Sequence, residues 1–452
     1  MGTPSASNGS FVDALYGQFL QRGINYFLPE LSVSLVGQSP AFTNELVYQR
    51  EENGAYQVDW LGQRYLFTPK ERALTPDQKR LLKSIGLVLS NRYAMLQKEE
   101  TAAQSFRLFR GQPEDRYVSA FLERAPHSTP QVSLESPDRI SAVIEVLRVS
   151  ALSTYENRRI ATGVLLFGPL PDSCHDEPPR PPDALPYSTA LTAIRSFHRL
   201  SDGLQTMALV DRDGLLVELV DVQKWAKPYE HMDLPVPTAA RYEAHSRATL
   251  CGGHVCLVLT PNGEIKIFSQ GAQTFRFLDG RWHLTDAVEK YQRWSAALGN
   301  DDLARCLFTV ALNLAEERRG GLFLVLEDPE RVTDLVAPSD LVNSRLPRPT
   351  GLSSETKDQL HYLLRGKRVL AMPPSILETV ARIDGAIVLD RDSRVLTFGA
   401  ILRHPLPEET PAVVEGGRTT AAISASRYGN VLKISEDGQI AFYQAGRQVW
   451  EF

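Results

Sequence analysis

The sequence predicts an α/β fold: two tandem α/β units with mixed sheets, preceded by a small α+β module. Three observations carry that reading. First, the chain repeats its own text. Met207-Ala208-Leu209-Val210-Asp211-Arg212-Asp213-Gly214 parallels Ala386-Ile387-Val388-Leu389-Asp390-Arg391-Asp392-Ser393, and residues 260–271 parallel 435–446. Second, a helical pattern followed by an apolar strand recurs at the start of each copy, over 137–167 and 301–327. Self-similarity on this scale signals duplicated architecture. The copies span about 134–285 and 298–452. Third, residues 45–68 read as short strands separated by turns, followed by a helix, which makes 1–130 a module of its own.

The elements follow from local chemistry. Residues 1–10 are small and polar and are expected to be disordered. Phe11, Leu15, Phe19 and Leu20 share one face of a helix over 11–25. Three strands follow, at 46–48, 56–60 and 64–67, with Glu52-Asn53-Gly54 and Leu61-Gly62-Gln63 as turns. Thr75-Pro76-Asp77 starts a helix: Thr as N-cap, Pro in the first turn, Asp against the dipole. Leu81, Leu82, Ile85, Leu89 and Tyr93 keep helical spacing to about residue 98. A second helix is expected over 137–158 and a strand over 162–167. Residues 168–187 then hold seven prolines in twenty residues, so they read as an extended surface loop. His175, Asp176 and Glu177 in that loop read as solvated rather than metal-binding.

Bulk properties narrow the function. The chain has 452 residues, 43% hydrophobic and 23% charged, ordinary for a globular protein of two to four domains. A formal net charge of −5 leaves no basic footprint for nucleic acid. The four cysteines (Cys174, Cys251, Cys256, Cys306) form no CxxC pair, so buried thiols in a reducing cytoplasm are expected. The first twenty residues lack the basic start and apolar core of a signal peptide. No apolar run is long enough to span a membrane. Walker, Ser-His-Asp and GxGxxG patterns are absent, which removes the commonest enzyme rivals.

The chemistry concentrates between Asp384 and Gly438. Asp384-Gly385-Ala386 leads into a β-branched run. Gly416-Gly417-Arg418-Thr419-Thr420 is a Gly-rich turn with a cation and two hydroxyls. Ser435-Glu436 follows a strand. Asp384 and Glu436 are carboxylates able to hold a divalent metal, though Asp-Gly also suits a plain turn and Glu436 fits one equally. The glycines let backbone N–H groups approach an anion. Asp390-Arg391-Asp392 reads as a charged hairpin turn.

The order of these pieces resembles the catalytic domain of diadenylate cyclases, the DNA-integrity-scanning protein family, over about 300–452. The matching residues are Asp384, Gly385, Ala386, Gly416, Arg418, Ala421, Ala422, Ser435 and Glu436. Where the family has Arg-His-Arg, this chain has Arg418-Thr419-Thr420, so one phosphate-binding Arg and the His are missing. The resemblance implies a nucleotidyltransferase that condenses two ATP into cyclic di-AMP with release of pyrophosphate. It implies Mg2+ or Mn2+ at Asp384 and Glu436, with Arg418 as the third catalytic residue. Gly385, Ala386, Gly416, Gly417, Thr419, Thr420 and Ser435 would line the nucleotide. The alternative it leaves is a decayed sensor that binds ATP or a cyclic dinucleotide without turnover. The first copy lacks a carboxylate at the Ser-Glu position, where Thr260-Pro261 stands, and carries His245-Ser246-Arg247 near the Arg-His-Arg position. Intramolecular pairing of the two units is therefore expected; Arg247 and His245 are candidates to reach the nucleotide held by the other copy, beside the plainer reading of a solvated or core role. The 1–130 module resembles the sensor modules that precede some diadenylate cyclase domains. A cytoplasmic location with no membrane or nucleic-acid partner completes the expectation.

Overall fold

The computed structural model describes residues 6–52, 54–70, 73–97, 111–123, 138–342, 361–403 and 416–452. The fold is α/β with mixed sheets. The chain divides into two compact units: Met1–Leu234 with Ala244–Asp286, and Pro235–Glu243 with Ala287–Phe452.

The first unit opens with helix α1 (Ala6–Phe27), which starts well before residue 11 and takes in residues expected to be disordered. Strands β1 (Leu31–Gln38), β2 (Val47–Arg50), β3 (Tyr56–Trp60) and β4 (Gln63–Pro69) form an antiparallel sheet in the order β1-β4-β3-β2. Helix α2 (Pro76–Gln97) begins with a reciprocal cap: Gln78 N donates to Thr75 Oγ1 and Thr75 N to Gln78 Oε1, both at 3.1 Å. Helix α3 (Pro113–Glu123) follows. Helix α4 (Arg139–Ala151) is shorter than the pattern over 137–158 suggested. It stops because Glu156 and Asn157 both take positive φ and turn a small hairpin, β5 (Thr154–Tyr155) with β6 (Arg158–Arg159).

The unit's larger sheet holds β7 (Thr162–Leu166), β8 (Leu185–Pro186), β9 (Thr206–Val210), β10 (Leu215–Asp221), β11 (Val255–Leu259), β12 (Ile265–Ser269), β13 (Ala272–Leu278) and β14 (Arg281–Leu284). Short helices α5 (Val222–Ala226) and α6 (Glu243–Arg247) lie between β10 and β11. One apolar core joins this sheet to the N-terminal module: Phe27 and Phe121 meet Phe275 edge-on, at 6.4 and 5.0 Å between ring centres. The buried Asp115 of α3 accepts from Trp282 Nε1 at 2.7 Å and from Arg148 Nη2 at 2.6 Å.

The second unit holds helices α7 (Ala287–Leu298) and α8 (Asp301–Glu316), strand β15 (Gly321–Leu326), helices α9 (Val332–Leu335) and α10 (Pro374–Ala381), strands β16 (Ala386–Leu389) and β17 (Val395–Ala400), helix α11 (Gly417–Ala425), and strands β18 (Gly429–Ile434), β19 (Ile440–Gln444) and β20 (Arg447–Glu451). Asn300 caps α8 through Leu303 N at 3.1 Å, and Leu303, Leu307, Val310 and Leu314 are buried along one stripe.

The two large sheets share a strand order. The first reads β13-β12-β11-β7-β9-β10 within its eight strands, the second β20-β19-β18-β15-β16-β17. In each, one central pair is parallel, β7 with β9 and β15 with β16, and the other neighbours are antiparallel. The turns match as well. Asp211 Oδ1 accepts Leu215 N at 2.9 Å, as Asp390 Oδ1 accepts Arg394 N at 2.8 Å. Thr260 N donates to Glu264 O at 2.8 Å, as Ser435 N donates to Gln439 O at 2.9 Å. Counting back from Asp211 and Asp390, Asp384 falls on Gln205. Asp202 lies three residues further upstream, where its carboxylate accepts Leu204, Gln205 and Thr206 N–H groups.

Candidate functional site

Parallel β15 and β16 begin at the same edge of the second sheet, where antiparallel β18 ends: Phe323 pairs with Ile387, and Gly321 with Ile434. Asp384, two residues before β16, and Glu436, two after β18, are therefore neighbours by topology. Arg418, in the first turn of α11, joins them. Its Nη1 donates to Glu436 Oε1 at 2.8 Å, and its Nη2 lies 3.5 Å from Asp384 Oδ1. The Asp384 side chain is 100% exposed, Glu436 70% and Arg418 40%. Ion pairs this exposed add little to stability, about 0–1 kcal/mol. The cluster can therefore open towards a ligand at small cost.

Glycines shape the cluster. Gly385 has φ +112°, and a Cβ there would meet Gly399 C at 2.4 Å, so only glycine lets the starts of β16 and the end of β17 approach. Ala386 is buried and pairs with Ala400. Gly416 is the N-cap of α11 with φ 91°, and Gly417 opens the helix. Thr419 N and Thr420 N both donate to Gly416 O at 3.2 Å, and Thr420 Oγ1 lies 3.4 Å from the same oxygen. Ser435 belongs to the hairpin turn, where its carbonyl accepts Gly438 N at 3.1 Å. Asp390 is the locked hairpin turn described above and takes no part in the site.

Two residues at the site were missed in the sequence. A Cβ at Gly320 would stand 2.1 Å from Arg418 Nη1, so the guanidinium lies over that glycine. Lys433 Nζ donates to Thr419 Oγ1 at 3.1 Å. The Gly320-Gly321 pair at the start of β15 was the available signal for the first. A lysine inside an apolar strand was the signal for the second.

Two carboxylates are hard oxygen donors, suited to Mg2+ or Mn2+ when phosphate oxygens and water complete the shell. Among the described residues, no group of three His, Cys, Asp or Glu side chains is placed to hold a metal without such help.

The other candidates lie in the first unit. Arg247 Nη1 donates to the carbonyls of Tyr229, Glu230 and Met232, at 3.3, 3.2 and 2.8 Å, so its guanidinium is engaged in holding a loop. His245 is buried, and its Nε2 donates to Gly203 O at 3.0 Å. In the proline-rich loop, His175 is not merely solvated. Its ring stacks on Trp225 with centres 3.9 Å apart, and Nε2 donates to Trp225 O at 2.9 Å. Ser173 Oγ stands 2.9 Å from His254 Nε2, which suggests a nucleophile and its base. However, His254 Nδ1 accepts Gly168 N at 2.9 Å, so Nε2 carries the proton and cannot take one from the serine. Of the cysteines, Cys256 is buried as expected, whereas Cys174 is exposed.

No family model and no curated protein matches the sequence. Among solved structures, one neighbour is a hypothetical membrane spanning protein from Bacillus cereus, 18% identical, covering 35% of this chain and 69% of its own, with a TM-score of 0.25. Another is a double-cysteine mutant of DacA from Staphylococcus aureus, 16% identical, covering 35% of this chain and 87% of its own, with a TM-score of 0.20. At that level the likeness carries no activity to this chain. No described helix is long and apolar enough to cross a membrane.

Proposed function

We propose that the second unit binds ATP at the edge formed by Asp384, Arg418 and Glu436, and that two ATP molecules are joined into cyclic di-AMP. The observation that carries this reading is the convergence of those three side chains, which are 34 and 18 residues apart along the chain. Their order is that of the diadenylate cyclase resemblance. In the reaction, the 3′-hydroxyl oxygen of one ATP attacks the α-phosphorus of the other. A P–O bond forms there, the bond to the β-phosphate oxygen breaks, and pyrophosphate leaves with that electron pair. The hydroxyl proton passes to solvent. The same attack with the roles of the two nucleotides exchanged closes the ring and releases a second pyrophosphate.

Asp384 and Glu436 would hold Mg2+ or Mn2+, which neutralises charge on the phosphates. Arg418 then changes partner, from carboxylate to the α-phosphate oxygens, a shift its exposed ion pairs permit. The Gly417 and Arg418 N–H groups at the start of α11 would face the same anion, those of Thr419 and Thr420 being taken by Gly416 O. Positioning and charge supply the catalysis, and no strong base is required. Residues 134–285 are proposed as a copy without a carboxylate at the Ser-Glu position, and 1–130 as a sensor module.

One observation favours a second reading, a sensor that binds without turnover. Thr419 and Thr420 stand where the resemblance places a His and a second Arg. Incubating the pure protein with ATP and Mg2+ or Mn2+, then analysing products by mass spectrometry, separates the two. Cyclic di-AMP with pyrophosphate supports the enzyme. ATP bound and recovered intact supports the sensor.

A further inference from the structure

Arg418 faces two carboxylates, Asp384 and Glu436. The divalent metal proposed there would offset those carboxylates, which leaves Arg418 as the one protein cation of that trio to meet a triphosphate. Lys433 stands beside it. It is half-buried on β18, two residues before Ser435, and its Nζ reaches the Thr419 hydroxyl at 3.1 Å. Its other neighbour is the Tyr443 ring, 6.0 Å from Nζ. Among the described residues Lys433 makes no ion pair; the carboxylates at this edge go to Arg418. An ammonium has three N–H donors, and among the described residues the Thr419 hydroxyl takes one.

The fold does not ask for this lysine. Lys433 pairs with Leu322 across β18 and β15. The same register position in the first sheet pairs Val258 with Gly163, and Val258 is buried. A valine therefore satisfies the strand in one unit, where Pro261 replaces the turn carboxylate. The lysine appears in the unit that has Glu436.

We infer that Lys433 is a second cation of this site and takes a phosphate group of the bound nucleotide, with Thr419 holding the ammonium in place. The inference rests on reading this edge as a nucleotide site. The lysine acts as a point charge, which suits a phosphate whose oxygens approach from several directions.

Calorimetric titration of the full chain, in Mg2+, with ATP, adenosine and inorganic pyrophosphate tests it. Lys433→Gln should weaken ATP and pyrophosphate by about tenfold or more while leaving adenosine unchanged. Lys433→Arg should retain most of the affinity. Thermal unfolding checks that each variant folds, and Lys433→Val, the residue the other sheet uses, is the substitute if Lys433→Gln does not. If the wild type binds ATP and neither charge-removing variant weakens it, the inference is overturned while the nucleotide reading stands. Equal losses for ATP and adenosine would also overturn it. If ATP fails to bind but pyrophosphate binds in a Lys433-dependent way, the nucleotide reading falls and the anion site stands. If neither binds, both fall.

Discussion

Gly320 offers a sharper probe of the site than any charged residue. A methyl group there meets the flexible end of Arg418, at 2.1 Å from Nη1. Gly320→Ala should therefore move the guanidinium and leave the fold nearly intact. Nucleotide affinity should drop by about tenfold while the unfolding midpoint changes little; an unchanged affinity would show that Arg418 does not touch the ligand. Gly385→Ala should behave oppositely. Its positive φ and the 2.4 Å approach to Gly399 C put the strain in the backbone. It should cost about 1–3 kcal/mol or more in a denaturant titration. At this scale the sequence showed the charged residues but not their mutual distances. Asp384, Arg418 and Glu436 were legible as chemistry. Gly320 and Lys433 were not, because their roles come from a third dimension that spacing does not encode.

His254 predicts a pH dependence. It is buried, accepts Gly168 N–H, and burial, aided by the nearby His175, pushes it down to about 4 from 6.5. It is thus neutral when folded and takes a proton more readily when unfolded. Its contribution is full above the unfolded value near 6.5 and is lost as pH falls towards about 4. Urea midpoints should decline across that window, with a slope of at most about 1.4 kcal/mol per pH unit from this group. His254→Asn should flatten this part of the decline; an unaltered slope would assign it to other groups.

Elements were more legible than side chains. The Thr75 cap, the stripe of α8 and the paired hairpin turns could all be read from residue types. The end of α4 could not, since Glu156-Asn157 turns the chain only by taking a positive φ at two ordinary residues. The surroundings of Arg247 were not legible for a related reason. Its place near the Arg-His-Arg position suggested a nucleotide contact, whereas in the structure it donates to three backbone carbonyls. Arg247→Ala should loosen the 229–232 loop at about 1.5–3 kcal/mol, the range for hydrogen bonds to a charged group. A denaturant midpoint equal to that of the wild type would remove this structural role. Hydrogen exchange at Tyr229 to Met232 would locate the change.

At the scale of the molecule, the repeat was visible as text and reappears as one strand order in two sheets. The boundary after 130 was drawn from a change in pattern. Packing runs across it, because Phe275 and Trp282 of the first repeat sit against Phe27, Phe121 and Asp115. The partners of an apolar face lie far away in sequence, so a local pattern does not reveal them. Asp115→Ala should destabilise the first unit by about 1–3 kcal/mol, since it leaves the buried Trp282 N–H without its acceptor and the partly exposed Arg148 without its carboxylate. A loss below 1 kcal/mol by urea titration, against that expectation, would mean the network is not what joins the module to the sheet.

ATP binding to the wild type and to Asp384→Asn, each with and without Mn2+, tests the nucleotide site most directly. Asp384 is fully exposed, so the substitution leaves folding unchanged but removes the charge a metal needs. Mn2+ should tighten ATP binding to the wild type, and Asp384→Asn should keep a weaker, metal-independent affinity through Arg418 and the start of α11. Equal metal enhancement in both proteins, or no ATP binding by the wild type, would contradict the nucleotide site.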